Sequence, residues 1–403
     1  MRPWLAVIGI GENGRDGLAA AARTLVDTAE VLVGGDRHQA MVPASSAERL
    51  VWERPLTRTI EAIAERRGRR VVVLASGDPL WYGIGVALLR RFPSAEMAIV
   101  PQPSAFSLAA ARLGWPLAEC RTITLHGRPL DGLRLHLAPN QRLLVLSEDG
   151  DTPRAVARLL TEAGWGPTRL TVLAHLGGAH ERVVREDARS WGERRVEDLN
   201  TIALECRAEP GTRGMPRLAG LPDNAFAHDG QLTKREVRAV TLATLMPMPN
   251  ETLWDVGAGC GSIAIEWLRA GAGCSAVAVE REPARAAMIA RNAAILGVPG
   301  LKIILGAAPA AIDGLPLPDA IFVGGGIDDP ALLPAVWAAL PAGGRLVANV
   351  VSAEGEARLF EWQARHGGAL TRIAVSRAEP KGRHHLWRSL SPVTQLAAVK
   401  AAS

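Results

Sequence analysis

The sequence predicts two consecutive α/β domains, each built on a largely parallel sheet. Three observations predict this. Short apolar runs alternate with helical stretches over residues 1–207 and again over 221–403, the pattern of strands joined by crossover helices. Between them the composition changes: Ala208-Glu209-Pro210-Gly211-Thr212-Arg213-Gly214-Met215-Pro216 is rich in turn formers and lacks periodicity, so 208–220 reads as a linker. Finally, 403 residues exceed one ordinary core and suit two domains of roughly 200 residues each.

In chain order, Leu5 to Ile8 reads as the first strand and Gly17 to Glu30 as an Ala-rich helix. Strands follow at Val31 to Val33, Val71 to Leu74, Met97 to Val100, Arg142 to Leu146, Leu170 to Leu173 and Thr201 to Leu204. Beyond the linker they are expected at Thr252 to Val256, Ala276 to Glu280, Lys302 to Leu305, Ala320 to Val323, Arg345 to Val350, Arg372 to Val375 and Val393 to Val399. No solenoid repeat is present, and the halves are not copies of one another.

Composition narrows the function classes. Hydrophobic residues make up 48% and charged residues 22%, the balance of a globular protein with ample core. No apolar run approaches the ~18 residues of a membrane span. Met1-Arg2-Pro3-Trp4-Leu5 enters a strand without a signal-peptide core, which makes the cytoplasm the expected compartment. Cys120, Cys206, Cys260 and Cys274 are scattered without a C-x-x-C pair; neither a metal site nor a disulfide framework is expected. The net charge of +5 suits an anionic partner, whether nucleic acid or polycarboxylate. Arg66-Arg67-Gly68-Arg69-Arg70, the densest basic stretch, reads as a solvated helix end.

In the second half, Asp255-Val256-Gly257-Ala258-Gly259-Cys260-Gly261-Ser262 places an acid at a strand end, followed by a glycine-rich turn into a helix. Such a turn admits a ligand close to backbone and presents a helix N-terminus to it. Glu280, at the end of the next strand, is placed to accept the hydroxyls of a ribose. A dinucleotide fingerprint needs a third glycine where Ser262 stands, and Asp255 would repel a pyrophosphate but attract a sulfonium. S-adenosylmethionine is therefore the favoured ligand, with a nicotinamide dinucleotide and a purely structural turn as alternatives. Gly306-Ala307-Ala308-Pro309 supplies small residues beside a flat adenine. Phe322-Val323-Gly324-Gly325-Gly326 closes the next strand, as a substrate-facing or simply flexible loop.

These residues, with Leu221 to Phe226, Gln231-Leu232-Thr233-Lys234-Arg235-Glu236-Val237-Arg238 and Ser391-Pro392-Val393, resemble the C15-methylating, C12-decarboxylating family of corrin synthesis over 221–403. The resemblance implies a Rossmann-like class I methyltransferase fold. It also implies donor contacts from Thr233, Gly257, Ala258, Gly259, Cys260, Gly261, Glu280 and Ala308, to which the charge argument adds Asp255. Cys260 stands where the family usually has a small or hydroxylated residue and reads as a packing variant.

In the first half, Gly9-Ile10-Gly11-Glu12-Asn13-Gly14 is a literal G-x-G-x-x-G, a short pattern of low specificity; Glu12 would face a pyrophosphate badly. Ser76-Gly77-Asp78-Pro79-Leu80-Trp81-Tyr82-Gly83 and Pro103-Ser104-Ala105-Phe106-Ser107, taken with that loop, resemble the tetrapyrrole methylase family over residues 3–207. Leu125-His126-Gly127-Arg128 and Leu146 to Gly150 further resemble its C5-methylating members. The implied fold is the two-lobed class III methylase, with donor contacts from Ser76, Gly77, Asp78, Trp81, Ser104 and Ala105. Glu12 and Asn13 depart from that family's usual Gly-x-Gly-Pro-Gly. Asp78 also reads as a turn cap before Pro79. His126 is either a donor to a substrate carboxylate or a structural histidine.

Joined on one chain, the two resemblances point to the bifunctional C5,15-methylating, decarboxylating family of cobalamin biosynthesis. They imply S-adenosyl-L-methionine at two sites, a tetrapyrrole substrate rather than nucleic acid or membrane, and a homo-oligomer. Recognition of the substrate's carboxylates is expected from Lys234, Arg238 and Arg383, with Gly324 and Gly325 facing the macrocycle and Glu236 as proton carrier. An RNA methyltransferase is the rival enzyme class, although no aromatic-interleaved basic patch is present. A first half acting only as a docking module is the other alternative.

Overall fold

Leu5-Ala6-Val7-Ile8-Gly9-Ile10 has no polar position to give to water and is buried throughout, the mark of a central strand covered on both faces. The strands Val31–Val33 and Ala320–Val323 are likewise buried at every position in the structure, a computed structural model that describes residues 3–402. Met1, Arg2 and Ser403, the outermost residues of the two expected domains, lie outside the described residues. The chain forms two compact units: one holds the chain up to Leu130 with Ala138–Arg213, the other Asp131–Leu137 with the chain from Gly214.

The first unit begins with β1 (Leu5–Ile10), α1 (Ala20–Asp27), β2 (Val31–Val33), α2 (Asp36–Ala40), β3 (Glu48–Leu50) and α3 (Leu56–Ala64). It continues with β4 (Val71–Ser76), α4 (Gly85–Arg91), β5 (Met97–Val100) and α5 (Ala105–Leu113). Its first lobe is a five-stranded sheet in the order β3-β2-β4-β1-β5, parallel at every pairing. Apolar clusters cover both faces, one around Leu5, Val73 and Phe92, the other around Ile8, Leu32 and Leu74.

The second lobe follows as β6 (Cys120–Thr124), β7 (Arg142–Leu146), α6 (Thr152–Glu162), β8 (Arg169–Ala174), β9 (Arg182–Asp187) and β10 (Asn200–Glu205), in the sheet order β6-β7-β10-β8-β9. Only β6 and β7 run parallel; β10 is antiparallel to both β7 and β8, and β9 to β8. The expectation of a largely parallel first half holds for the first lobe and fails for the second. Apolar runs mark a strand but not the direction of its partner.

The second unit contains α7 (Arg235–Leu245), β11 (Thr252–Val256), α8 (Ser262–Ala270), β12 (Ser275–Glu280), α9 (Pro283–Ile295), β13 (Lys302–Leu305), β14 (Ala320–Val323) and α10 (Leu332–Ala339). Then come β15 (Arg345–Val350), α11 (Ala353–His366), β16 (Ala369–Ile373), β17 (Ser376–Lys381), β18 (His384–Ser389) and β19 (Val393–Val399). Seven strands form one sheet, β13-β12-β11-β14-β15-β19-β16, in which β19 runs opposite to the other six. Clusters around Trp267 and Phe322 on one face, and Val256 and Trp362 on the other, bury the sheet. β17 and β18 pair as a separate hairpin that the apolar pattern does not reveal.

The 208–220 stretch has no helix or strand, yet its backbone is anchored. Glu209 donates its N–H to Gly164 O at 2.8 Å. Arg269, 2% exposed, donates to the carbonyls of Met215 and Pro216 at 3.0 Å each. No helix among the described residues is long and apolar enough to cross a membrane.

Candidate functional site

The second unit encloses a cavity of about 1000 Å³ at the carboxyl ends of β11, β12, β14 and β15, where open parallel sheets bind ligands. Its floor is the turn between β11 and α8. Gly257 sits at φ +71°, and a Cβ there would lie 2.7 Å from the backbone nitrogen of Gly325. The two glycine-rich turns therefore touch through bare backbone, which no other residue type permits. Gly257, Ala258, Gly259 and Cys260 line the cavity, as do Thr233, Lys234, Glu280, Ala308, Gly324 and Gly325. Ten expected site residues thus share one space.

Glu280 is 4% exposed and is held from two sides. Its Oε2 accepts the N–H of Gly259 at 2.8 Å and its Oε1 that of Glu282 at 3.0 Å. The carboxylate is fixed against the glycine turn with its remaining lone pairs free for hydroxyl donors. Cys260 is buried, and burial raises its thiol pKa. Its carbonyl accepts from Asn292 Nδ2 at 3.0 Å, in keeping with a packing role.

Five expectations are corrected here. Asp255 is 1% exposed and absent from the cavity wall. Its Oδ2 accepts the N–H of Ala264 in the first turn of α8 at 3.0 Å, while its Oδ1 has no partner among the described residues. Burial foremost, with the charge of Glu280, pushes its pKa up to about 7. It supports the turn from beneath the cavity wall. Gly261 likewise faces inward, with Ile289 2.8 Å from where its Cβ would stand.

Arg238, expected on substrate, is 0% exposed. Its guanidinium donates to Glu266 at 2.7 Å, to Thr233 O at 2.5 Å and to Leu221 O, and lies over the Phe226 ring. Its charge and donors are taken up by the protein, so it organises the start of α7. Glu236 lies outside the cavity wall, ion-paired to Arg377 at 2.6 Å. That hydrogen bond lowers its pKa, which unsuits it as a proton carrier at neutral pH. Arg383 falls in the exposed turn between β17 and β18; Arg388 of β18 reaches the cavity instead. Sequence reasoning missed Arg388, Asp328 and Asn349, all of which line the cavity. For Asn349 a signal existed: it is the one polar residue in Leu346-Val347-Ala348-Asn349-Val350.

In the first unit, three loops at the carboxyl ends of β1, β4 and β5 are stitched together. Gly77 donates to Ile10 O at 3.2 Å, and Gln102 donates to Gly77 O at 3.0 Å. A Cβ on Gly9 would stand 1.9 Å from Gly77 O, so the junction exists only because residue 9 is glycine. Gly77 also approaches Ser104, whose Cα would be 3.0 Å from an added Cβ. Ser104 caps α5 by accepting the N–H of Ser107 at 3.1 Å, and Ala105 opens that helix. Ser76 Oγ accepts from Arg37 at 2.9 Å and lies 2.9 Å from His38 Nε2.

Asp78 accepts the N–H of Leu80 at 2.9 Å, the turn-cap geometry. Trp81 is 48% exposed, its ring centroid 6.4 Å from that of Phe106 in an edge-on arrangement. Tyr82 crosses to the second lobe, donating to Thr122 O at 3.2 Å. Glu12 is also an inter-lobe contact: it pairs with Arg37 and lies 2.8 Å from His175 Nδ1. His126 is exposed, 3.3 Å from the Glu148 carboxylate.

Comparison with known proteins agrees with both units. The family model described as Tetrapyrrole (Corrin/Porphyrin) Methylases matches residues 5–190, and that described as Precorrin methyltransferase domain matches 224–400. The chain is 50% identical over 394 residues to a Precorrin-6Y C(5,15)-methyltransferase [decarboxylating] from Sinorhizobium sp, covering 98% of this chain and 95% of that one. It is 34% identical over 179 residues to a Cobalt-precorrin-7 C(5)-methyltransferase from Salmonella typhimurium, covering 44% and 88%. It is also 34% identical over 181 residues to a Probable cobalt-precorrin-6B C(15)-methyltransferase (decarboxylating) from Pyrobaculum calidifontis, covering 43% and 92%. A near-full-length match at that identity, with both family domains in succession, places the chain among methyltransferases: it belongs to the precorrin-6Y C5,15-methyltransferase (decarboxylating) family.

Proposed function

We propose that the chain transfers methyl groups from S-adenosyl-L-methionine to C5 and C15 of precorrin-6Y and removes the C12 acetate as CO₂, giving precorrin-8X. The first domain, residues 1–207, acts at C5. The second, 221–403, acts at C15 and C12. The observation that carries the reading is the second-unit cavity, whose glycine turn and Glu280 fit this donor. Glu280 offers fixed acceptors for two ribose hydroxyls, Ala307 and Ala308 leave room for a flat base, and Gly257–Cys260 present bare backbone. At about 1000 Å³ the cavity is at the upper end for small ligands, room for a donor and the reacting edge of a macrocycle.

The donor supplies an electrophilic methyl on a positively charged sulfur. The residues position and shield. A meso carbon conjugated to a pyrrole nitrogen is already nucleophilic, so in-line placement provides most of what is needed, an effect worth ~7–11 kcal/mol. Lys234 and Arg388, on the cavity wall, are suited to the substrate's carboxylate arms. In the first unit, the Gly9–Gly77–Gln102 junction and the Ser104 cap frame the corresponding donor site, with Ser76, Gly77, Asp78, Trp81, Ser104 and Ala105 around it. The protein is read as a cytoplasmic homo-oligomer acting on a small-molecule macrocycle.

Incubating the intact chain with the macrocycle and donor, followed by mass spectrometry, is expected to show two methyl gains and one CO₂ loss. Calorimetry is expected to count two donor molecules per chain. A singly methylated end product with one donor bound would leave the first unit as a docking module.

A further inference from the structure

The cavity wall far from the glycine turn holds a group with no assigned part in the chemistry. Asn349, near the end of β15, lines the cavity and is gripped from behind. Thr241 of α7 is 0% exposed and Gln395 of β19 is 2% exposed. The Thr241 hydroxyl donates to Val237 O at 2.8 Å, which uses its only proton. It must therefore accept from the side chains around it. Asn349 Nδ2 lies 2.8 Å and Gln395 Nε2 3.1 Å from Thr241 Oγ1. Gln395 Nε2 also donates to Asn349 Oδ1 at 2.9 Å.

This network fixes which way the Asn349 amide faces. Its nitrogen must meet Thr241 and its oxygen must meet Gln395, so the flipped orientation would place donor against donor. One N–H and one oxygen lone pair remain uncommitted on a side chain that borders the cavity. The sheet order β12-β11-β14-β15 sets Asn349 three strands from Glu280, roughly 14 Å at the usual strand spacing. Asn349 thus lies across the cavity from the carboxylate read as the donor's ribose acceptor.

We propose that Asn349 orients the substrate in the second-unit cavity, its Oδ1 accepting a hydrogen bond from a pyrrole-type ring N–H of the macrocycle. The inference rests on the reading of this cavity as a macrocycle methylation site. A neutral amide held rigidly matches a ring of neutral nitrogens. The anionic arms are better matched by the cations Lys234 and Arg388 on the same wall. Fixing the amide before binding removes an ordering cost and sets the angle at which the ring edge meets the methyl donor.

The test uses the intact chain, the precorrin macrocycle and S-adenosylmethionine. Methylation at C15 by the unaltered chain checks the underlying reading; the variants check Asn349. Asn349→Ala is expected to raise KM for the macrocycle about tenfold, the scale of one neutral hydrogen bond. Donor affinity at the second site should stay within about twofold. Asn349→Asp keeps an acceptor oxygen and lets the Thr241 hydroxyl turn toward it, so most of the KM loss is expected to be recovered. An unchanged KM in Asn349→Ala overturns the proposal, as does donor affinity falling in step with KM, or Asn349→Asp performing no better than Asn349→Ala. Should Asn349→Ala fail to fold, the unaltered chain decides the matter. With nitrogen-15 asparagine label, the Asn349 side-chain amide signal, identified by its loss in Asn349→Asp, should move when macrocycle is added. A signal that stays in place overturns the proposal.

Discussion

Glu280 and Gly259 are joined by a 2.8 Å hydrogen bond from the glycine N–H to the carboxylate, so the acid at the end of β12 shapes the turn after β11 as well as bordering the cavity. Substituting Glu280→Gln replaces one acceptor by a donor and breaks one of its two backbone bonds. Donor affinity at the second site is expected to fall by about 10- to 100-fold, the scale of a lost charge-assisted hydrogen bond plus an unsatisfied buried group. Methylation at C5 should persist. Calorimetric titration and product masses check both halves of that statement, and equal loss of both methylations contradicts it.

The two glycine junctions give a reciprocal pair. Gly9→Ala drives a methyl group into Gly77 O and should abolish C5 methylation while leaving C15. Gly257→Ala, whose Cβ meets Gly325 at 2.7 Å, should do the reverse. Each variant is scored by the site of the single methyl gained, read from fragment masses of the product.

Asp255 makes the stability of the donor-free second unit depend on pH. Its pKa is about 7 in the folded chain and about 4 in an unfolded one. Between these values the folded form retains a proton that the unfolded form has released. Stability is therefore greatest below about pH 4 as far as this group is concerned, falls as pH rises toward 7, and levels off above. The total change is at most about 4 kcal/mol. Asp255→Asn should remove this slope and raise the melting temperature at pH 8. Denaturation followed from pH 5 to pH 8 distinguishes the two chains; a slope that survives the substitution refutes the assignment.

Arg238 and Glu266 form a buried pair, and Glu266 also accepts the N–H groups of Gly220 and Leu221. Arg238→Met leaves that carboxylate buried with its strongest partner removed, expected to cost about 3–5 kcal/mol. Chemical denaturation should show the loss in the transition of the second unit. Kinetic constants measured well below the transition should change far less than stability, as befits a side chain that is 0% exposed.

Much of this architecture could be read in advance because the strands are dominated by apolar residues. Val31 to Val33, Met97 to Val100, Arg142 to Leu146 and Val393 to Val399 were all placed at their observed limits. The hairpin of β17 and β18 left no such trace: its residues are almost all exposed, so no face carries a periodic signal. The glycine turns were readable because close backbone approach restricts the residue type. The cations were not. Arg238, Arg383 and Arg388 are equivalent in a sequence, and only burial separates the one holding the core together from the one in a turn and the one on the cavity wall. Asp255 failed for a related reason, since β11 is buried on both faces and alternation cannot say which way a side chain points.

The placement of β19 bears on synthesis. It lies between β15 and β16, yet follows every other strand of its sheet in the chain. While a ribosome is still translating residues 393–399, β15 and β16 have no partner between them, and the apolar faces of Leu346 and Leu370 lack the Leu396 that will cover them. The first unit can complete its own two sheets long before that moment, as leading domains do during translation. The second unit thus closes its sheet last, and a chain cut shortly before residue 393 would leave β15 and β16 without the strand that joins them.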